Sequence, residues 1–415
     1  MSQRSSQRAH VSRITSPVQI ARTVVWISIS LALGALAGCG YGSESGEIAE
    51  EGAGQSLSAS ATAGPLVMTV PAPPRPVVTT DEQQHWLYEI VFQNVGTTSA
   101  RVTRLDVVLS ERPGAVARFE NEKLAAVFEP RLEGMPAGTV PPGGLAAVFL
   151  DLPSPSRGEP PPCRFTHRVT VEHDGRRDVV AGPTVAALAE AASRIGPPLR
   201  GGSYLDLNGC CDGPHRRALL DIDGQLMLAQ RYAIDFIRVD LERAAAGEDP
   251  IVSGDPTRNE SYFTFGQEIV AVTAGRIIAT RDGVPENDLS QPLPPATIES
   301  APGNFVIQAL DDGRFALYAH IQNGKVRVHP GERVRRGQVL GLVGNTGNST
   351  GPHLHFHVMD QPSALGANGL PYVFDRFDLQ GHVDLTAADA PLIATPPPQE
   401  RRRLLPMSGD LLAFP

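Results

Sequence analysis

The stretch "GNTGNSTGPHLHFHV", Gly344 to Val358, places histidines at 353, 355 and 357, with Leu354, Phe356 and Val358 between them. Side chains of a β-strand alternate between its two faces. A strand through these residues therefore shows three imidazoles on one face and sends Leu354, Phe356 and Val358 into a core. Gly351-Pro352 marks the turn that starts it. A single histidine on a strand face is most simply a polar group turned to solvent. Three in register form a rigid row of nitrogen donors, which suits a metal or an acid–base centre.

Working outward, the chain of 415 residues has room for two or three domains. It holds 41 Gly and 37 Pro with only 6% aromatic residues, which points to short strands and many turns. Residues 65–190 read as an all-β unit, with "WLYEIVFQNVG", "ARVTRLDVVLS", "GGLAAVFLDLP" and "THRVTVEHDG" as strands divided by turns. Their spacing suggests an immunoglobulin-like sandwich. Its histidines, His85, His167 and His173, form no catalytic grouping. Residues 198–380 alternate as strands of a second, antiparallel unit, and 381–415 form a Pro-rich tail that could add a last strand. The expected fold class is all-β throughout.

The N-terminus reads as an export signal. Arg4, Arg8, Arg13 and Arg22 precede "VVWISISLALGALA", Val24 to Ala37, a run too short for a comfortable membrane span. It ends in "LAGC", which resembles the bacterial lipobox. That resemblance implies cleavage after residue 38 and a lipid on Cys39. Gly40 after the cysteine implies sorting to the outer membrane, with the chain facing the periplasm. Residues 39–64 are small, polar and acidic and read as a flexible tether. The formal net charge is −9, and removal of four arginines makes the remainder more acidic still, so nucleic acid is a poor partner. Export also implies an oxidising compartment, where Cys163 could pair with Cys210 or with Cys211.

"GERVRRGQVLGLVGNTGNSTGPHLHFHV", with "LYAHI" and "YAIDF", resembles the LytM/lysostaphin-type zinc metallopeptidases, which cut peptide cross-links of bacterial cell walls. The resemblance covers roughly residues 200–380. It implies an open antiparallel sheet with a groove, a zinc ion and a peptidoglycan peptide as substrate. The family binds zinc through the His and Asp of H-x-x-x-D and the second His of H-x-H. It uses the first His of H-x-H and the His of Y-x-H in catalysis. By this resemblance Asp235 and His355 are metal ligands, and His353 and His320 are catalytic. His357 stands where the family often has Glu, and is expected behind the ligands or at the rim.

One position departs. Four residues before Asp235 stands Arg231, which stays protonated and cannot ligate zinc. Catalytic zinc usually has three protein ligands. A hairpin with a tight loop at Ile222-Asp223-Gly224 would set His215 opposite Arg231, so His215 is expected as the third ligand. The alternative is a surface histidine beside a basic pair. The second functional reading is then a degenerate LytM domain that binds peptidoglycan or regulates another cell-wall hydrolase. "GNSTG" fits G-x-S-x-G formally, but no helix pattern follows Ser349, and neither H-E-x-x-H nor a P-loop is present.

Overall fold

The structure, a computed structural model, describes residues 59–109, 115–132, 134–155, 164–188, 190–385 and 393–415. The export signal, Cys39, most of the tether and Cys163 lie outside the described residues. Within them the chain is built from antiparallel sheets with few helical turns.

The N-terminal unit is a pair of sheets packed face to face. One runs in the order Ala59–Ala63, Leu66–Val70, Gln83–Asn94, Leu145–Pro155, Phe128–Pro130. The other runs Arg176–Ala181, Arg164–His173, Ala100–Leu109, Ala115–Glu120. Ala59–Ala63 falls in the stretch read as tether. It turns at Gly64-Pro65 and pairs with Leu66–Val70, so the folded unit begins before residue 65. Trp86, Tyr88, Ile90 and Phe92 enter the core between the sheets with Leu105, Val107, Phe165 and Val169. The odd residues of Gln83–Asn94 face the other way, yet Leu87, Glu89 and Val91 are buried too. This strand is buried on both faces because the second unit packs on its outer side.

That second unit is a ten-stranded sheet. Its order is Arg333–Val334, Gly275–Arg281, Phe305–Ala309, Phe315–Ala319, Leu354–Met359, Ile234–Val239, Ser203–Leu207, Asp410–Ala413, Phe377–His382, Ile393–Arg401. The Pro-rich tail thus supplies two strands, one of them interior, and the sheet extends well beyond residue 380. Upstream, Ser193–Ile195 pairs in parallel with Tyr372–Phe374. Leu354, Phe356 and Val358 join Tyr318, Phe236 and Tyr372 in the core beneath the sheet.

The expected hairpin is present but shorter and shifted. Asp223 and Gly224 both have positive φ, 53° and 76°, which is the two-residue turn that suits a right-twisted hairpin. Ile222 therefore faces Gln225, and the ladder ends at Leu220–Met227. His215 is not on a strand opposite Arg231. It lies on a 3-10 turn, Pro214–Arg217. The cysteine expectation changes as well: Cys210 and Cys211 are bonded to each other, which leaves neither for Cys163.

The two units meet across buried charge. Glu89 of the sandwich is fully buried and accepts from Arg231 Nη2 at 2.6 Å and from Arg216 Nη1. Taking away one partner of such a pair costs about 3–5 kcal/mol, because the other charge is left buried and uncompensated. Beside it, Val91 and Phe149 of the sandwich pack on Leu219 and Leu228. His85 lies between Asp151 at 2.8 Å and Asp81 at 3.2 Å.

Candidate metal centre and groove

The site forms where three neighbouring strands of the large sheet come together. His355 faces Asp235 on one side and Ala319 on the other. The small Ala319 leaves room above the sheet. His355 Nδ1 lies 2.9 Å from Asp235 Oδ1, and its Nε2 lies 3.0 Å from His357 Nδ1. Asn208, just past the strand Ser203–Leu207, donates from Nδ2 to Asp235 Oδ2 at 2.8 Å. From the turn below, His215 Nε2 reaches Asp235 Oδ2 at 3.3 Å, while its Nδ1 lies 3.2 Å from the carbonyl of Ala233.

Two further imidazoles close the group. His320 follows the strand Phe315–Ala319 with a φ of 63°, a left-handed conformation that turns its ring off the strand line toward the site. Its ring centre is 4.7 Å from that of His353 and 5.8 Å from that of His355. His320 Nδ1 donates to the carbonyl of Thr346 at 2.7 Å. The glycines of the quoted loop make this possible. A Cβ on Gly347 would sit 2.4 Å from Gly303 N, so only bare backbones can lie this close and present the Thr346 carbonyl. His353 Nδ1 donates to the carbonyl of Gly351 at 2.8 Å, and its Nε2 lies 3.4 Å from Asp235 Oδ1. Ser349 is buried and gives its hydroxyl to Asn345 Oδ1 at 2.6 Å, a loop-bracing role.

The charges follow from these contacts. Burial alone would raise the Asp235 carboxyl, but His215 and His353 beside it outweigh burial and hold it well below the usual range. Burial and the neighbouring His353 and His355 push His320 well below the ordinary histidine value. Burial and His215 lower His355, whose ring also feels His353. Burial works against a proton on His353, yet Asp235 and the Gly351 carbonyl raise it. Asp235 is thus biased toward the carboxylate and His355 toward the neutral imidazole, the protonation states in which these groups ligate a metal.

A zinc ion fits these residues. His215, Asp235 and His355 each offer a ligand atom, and all three atoms lie within 4.8 Å of one another. Two imidazoles and one carboxylate are a donor set known for catalytic zinc. Arg231 does not enter the site, since its guanidinium is turned away to Glu89 and to the carbonyl of Gly369. The structure thus brings together His215, Asp235, His320, His353 and His355. His357 stands behind His355, fully buried, with its Nε2 unpartnered. Sequence reasoning missed Asn208, for which no motif signals a role. It also missed Glu89, although a lone acid within the apolar run "WLYEIVF" is a signal of buried pairing.

These groups lie at the floor of a groove of about 1270 Å³. Ile251, Tyr262, Leu289, Leu293 and Leu317 give it apolar walls. Asp212, Glu248 and Asp288 line it as well, and no lysine or arginine does among the described residues.

Residues 262–366 match Peptidase family M23. The matched segment contains His320, His353 and His355 and stops short of His215 and Asp235. Peptidoglycan DD-endopeptidase ShyC of Vibrio cholerae serotype O1 is 34% identical over 94 residues, covering 23% of this chain and 19% of that protein. Peptidoglycan DD-endopeptidase ShyA of the same organism is 42% identical over 57 residues, 14% of this chain and 13% of that protein. The chain therefore spans a fifth or less of these relatives. The catalytic domain of lysostaphin from Staphylococcus simulans is 21% identical, with 40% of this chain and 88% of that one covered at a TM-score of 0.22. The histidine row and its loop lie within the segment, residues 262–366, that matches Peptidase family M23.

Proposed function

We propose that the chain is a zinc-dependent endopeptidase that hydrolyses peptide cross-links of bacterial peptidoglycan at the cell envelope, tethered by a lipid on Cys39 and facing the periplasm from the outer membrane. One observation carries the enzymatic part. His215, Asp235 and His355 converge on one point at the floor of the groove, with His320 and His353 beside it. Zinc held there would lower the pKa of a water molecule and polarise the scissile carbonyl. The chain's own residues supply the rest. Carbonyl oxygens fix His320 and His353 at Nδ1, which leaves each Nε2 to exchange a proton. One can accept a proton from the attacking water and the other can give one to the leaving amine. A groove whose described lining holds acids but no lysine or arginine suits a neutral or amine-bearing peptide and disfavours a polyanion.

Isolated peptidoglycan sacculi provide the test. Zinc-loaded protein should convert cross-linked muropeptide dimers to monomers, and a chelator should stop it. Intact dimers after prolonged incubation with the zinc-loaded chain would remove the enzyme reading. The domain would then be better read as one that binds peptidoglycan or regulates another hydrolase. The tether is tested separately: Cys39→Ser should release the protein from the membrane fraction, and unchanged fractionation would exclude lipid on that residue.

A further inference from the structure

The three proposed ligands are not held alike. Asp235 and His355 sit on adjacent strands of the large sheet and face each other in its ladder. His215 belongs to no ladder. It rides on the 3-10 turn Pro214–Arg217, and the residue after it, Arg216, is among the most buried side chains of the molecule at 2% exposure.

Arg216 points away from the metal centre and into the sandwich. Its guanidinium meets Glu89 Oε1, the carbonyl of Leu150 at 2.6 Å and that of Tyr88 at 3.3 Å. It also lies over the ring of Phe149 at 5.7 Å. All four partners belong to the two strands Gln83–Asn94 and Leu145–Pro155 of one sandwich sheet. The flanking residues follow suit. Arg217 Nη2 donates to the carbonyl of Ala126 at 2.8 Å, and Arg131 Nη2 to that of Leu219 at 2.7 Å. The segment carrying the third ligand is thus moored to the other unit through Arg216, Arg217 and Leu219, immediately after His215.

We infer that Glu89 and Arg216 are positioning residues for the metal centre: the sandwich holds His215 at its ligating place, and the peptidase sheet alone supplies only two ligands in fixed positions. The inference rests on the reading of His215, Asp235 and His355 as a metal site. It also gives Arg231 a place. The residue that fills the expected ligand position is the second cation on the same carboxylate, and it sits four residues before Asp235, which the sheet fixes independently. Arg231 and Arg216 therefore share one partner, but only Arg216 is joined directly to a ligand. A planar fork that spans a carboxylate and two carbonyls fixes its own backbone far better than a point charge could.

Zinc affinity of the full chain separates this from mere stability. Competition with a chromophoric chelator would be measured for wild type, Arg216→Met and Arg231→Met, beside urea midpoints in excess EDTA. Each variant takes one cation from Glu89 and leaves the other, so both should lose metal-free stability. Arg216→Met should weaken zinc binding at least tenfold more than Arg231→Met. Equal weakening would overturn the inference. Arg216→Lys keeps the charge and serves should the Met variant fail to fold. An ammonium cannot reach all three acceptors, so zinc should still bind about tenfold more weakly; wild-type affinity would overturn the inference. A wild-type chain that takes up no zinc overturns the metal-site reading itself, which is distinct from tight wild-type binding with indistinguishable variants.

Discussion

His357 Nδ1 lies 3.0 Å from His355 Nε2, so the third histidine of the row braces the second from behind. Burial, with His355 and His215 close by, drives its pKa well below the ordinary histidine value. A neutral imidazole there can fix the orientation of His355 and its tautomer. Partners of this kind usually contribute 10–100-fold to metal affinity or activity. His357→Phe keeps the ring volume and removes the brace. It should weaken zinc about tenfold or more with little change in fold, and zinc binding at wild-type strength would assign His357 to packing alone.

Alanine at His215, Asp235 or His355 should each strip the zinc. Two remaining ligands make a weak site. Metal content after dialysis against a dilute chelator is the measurement. A His215→Ala protein that still carries one equivalent would show that the third donor is a different group, with His353 the nearest candidate at 3.4 Å from Asp235.

His320→Ala and His353→Ala should behave differently. Each should retain zinc and lose roughly 100-fold or more in hydrolysis of cross-linked muropeptides. Loss of zinc together with the rate would mean that the ring in question is a ligand.

The sandwich should weaken in acid because of His167. Its Nε2 faces the Tyr88 hydroxyl at 2.8 Å and its Nδ1 faces the carbonyl of Pro183. The hydroxyl donates to Nε2 and Nδ1–H donates to the carbonyl, so the ring is neutral. Burial lowers its pKa from 6.5 to about 4. A group depressed on folding stabilises above its unfolded pKa and loses that contribution as pH falls. The loss here runs from 6.5 down to about 4 and amounts to about 3 kcal/mol. Trp86, buried in the same core, reports it by fluorescence in urea titrations. His167→Gln should flatten that limb of the profile, and an unchanged limb would place the acid sensitivity elsewhere.

Much of the peptidase sheet was legible because strand alternation is a local rule. Leu354, Phe356 and Val358 had to go inward once His353, His355 and His357 shared a face. The route to His215 was not local. It hinged on one turn, and a two-residue turn at Asp223-Gly224 shifts every pair below it by one. His215 reaches Asp235 instead because Arg216 is drawn into the sandwich, a contact between residues 127 positions apart. Nothing in the spacing of "GPHRRAL" announces a partner in "WLYEIVF". Arg231 could be recognised as no ligand from its chemistry, but where its charge goes depends on how the two units dock.

The strand Asp410–Ala413 lies between Ser203–Leu207 and Phe377–His382. Ser203 is thus a neighbour of Ala413, and the chain must bring the two together across nearly all of the second unit. Such distant pairings are slow to form, since loop closure is completed before contacts repay it. Until residues 410–413 arrive, two interior strands offer open edges, the feature that natural sheets guard most carefully. A chain cut short before residue 410 keeps the histidine row intact and still exposes two sticky edges, so the expected fate is aggregation rather than a smaller enzyme.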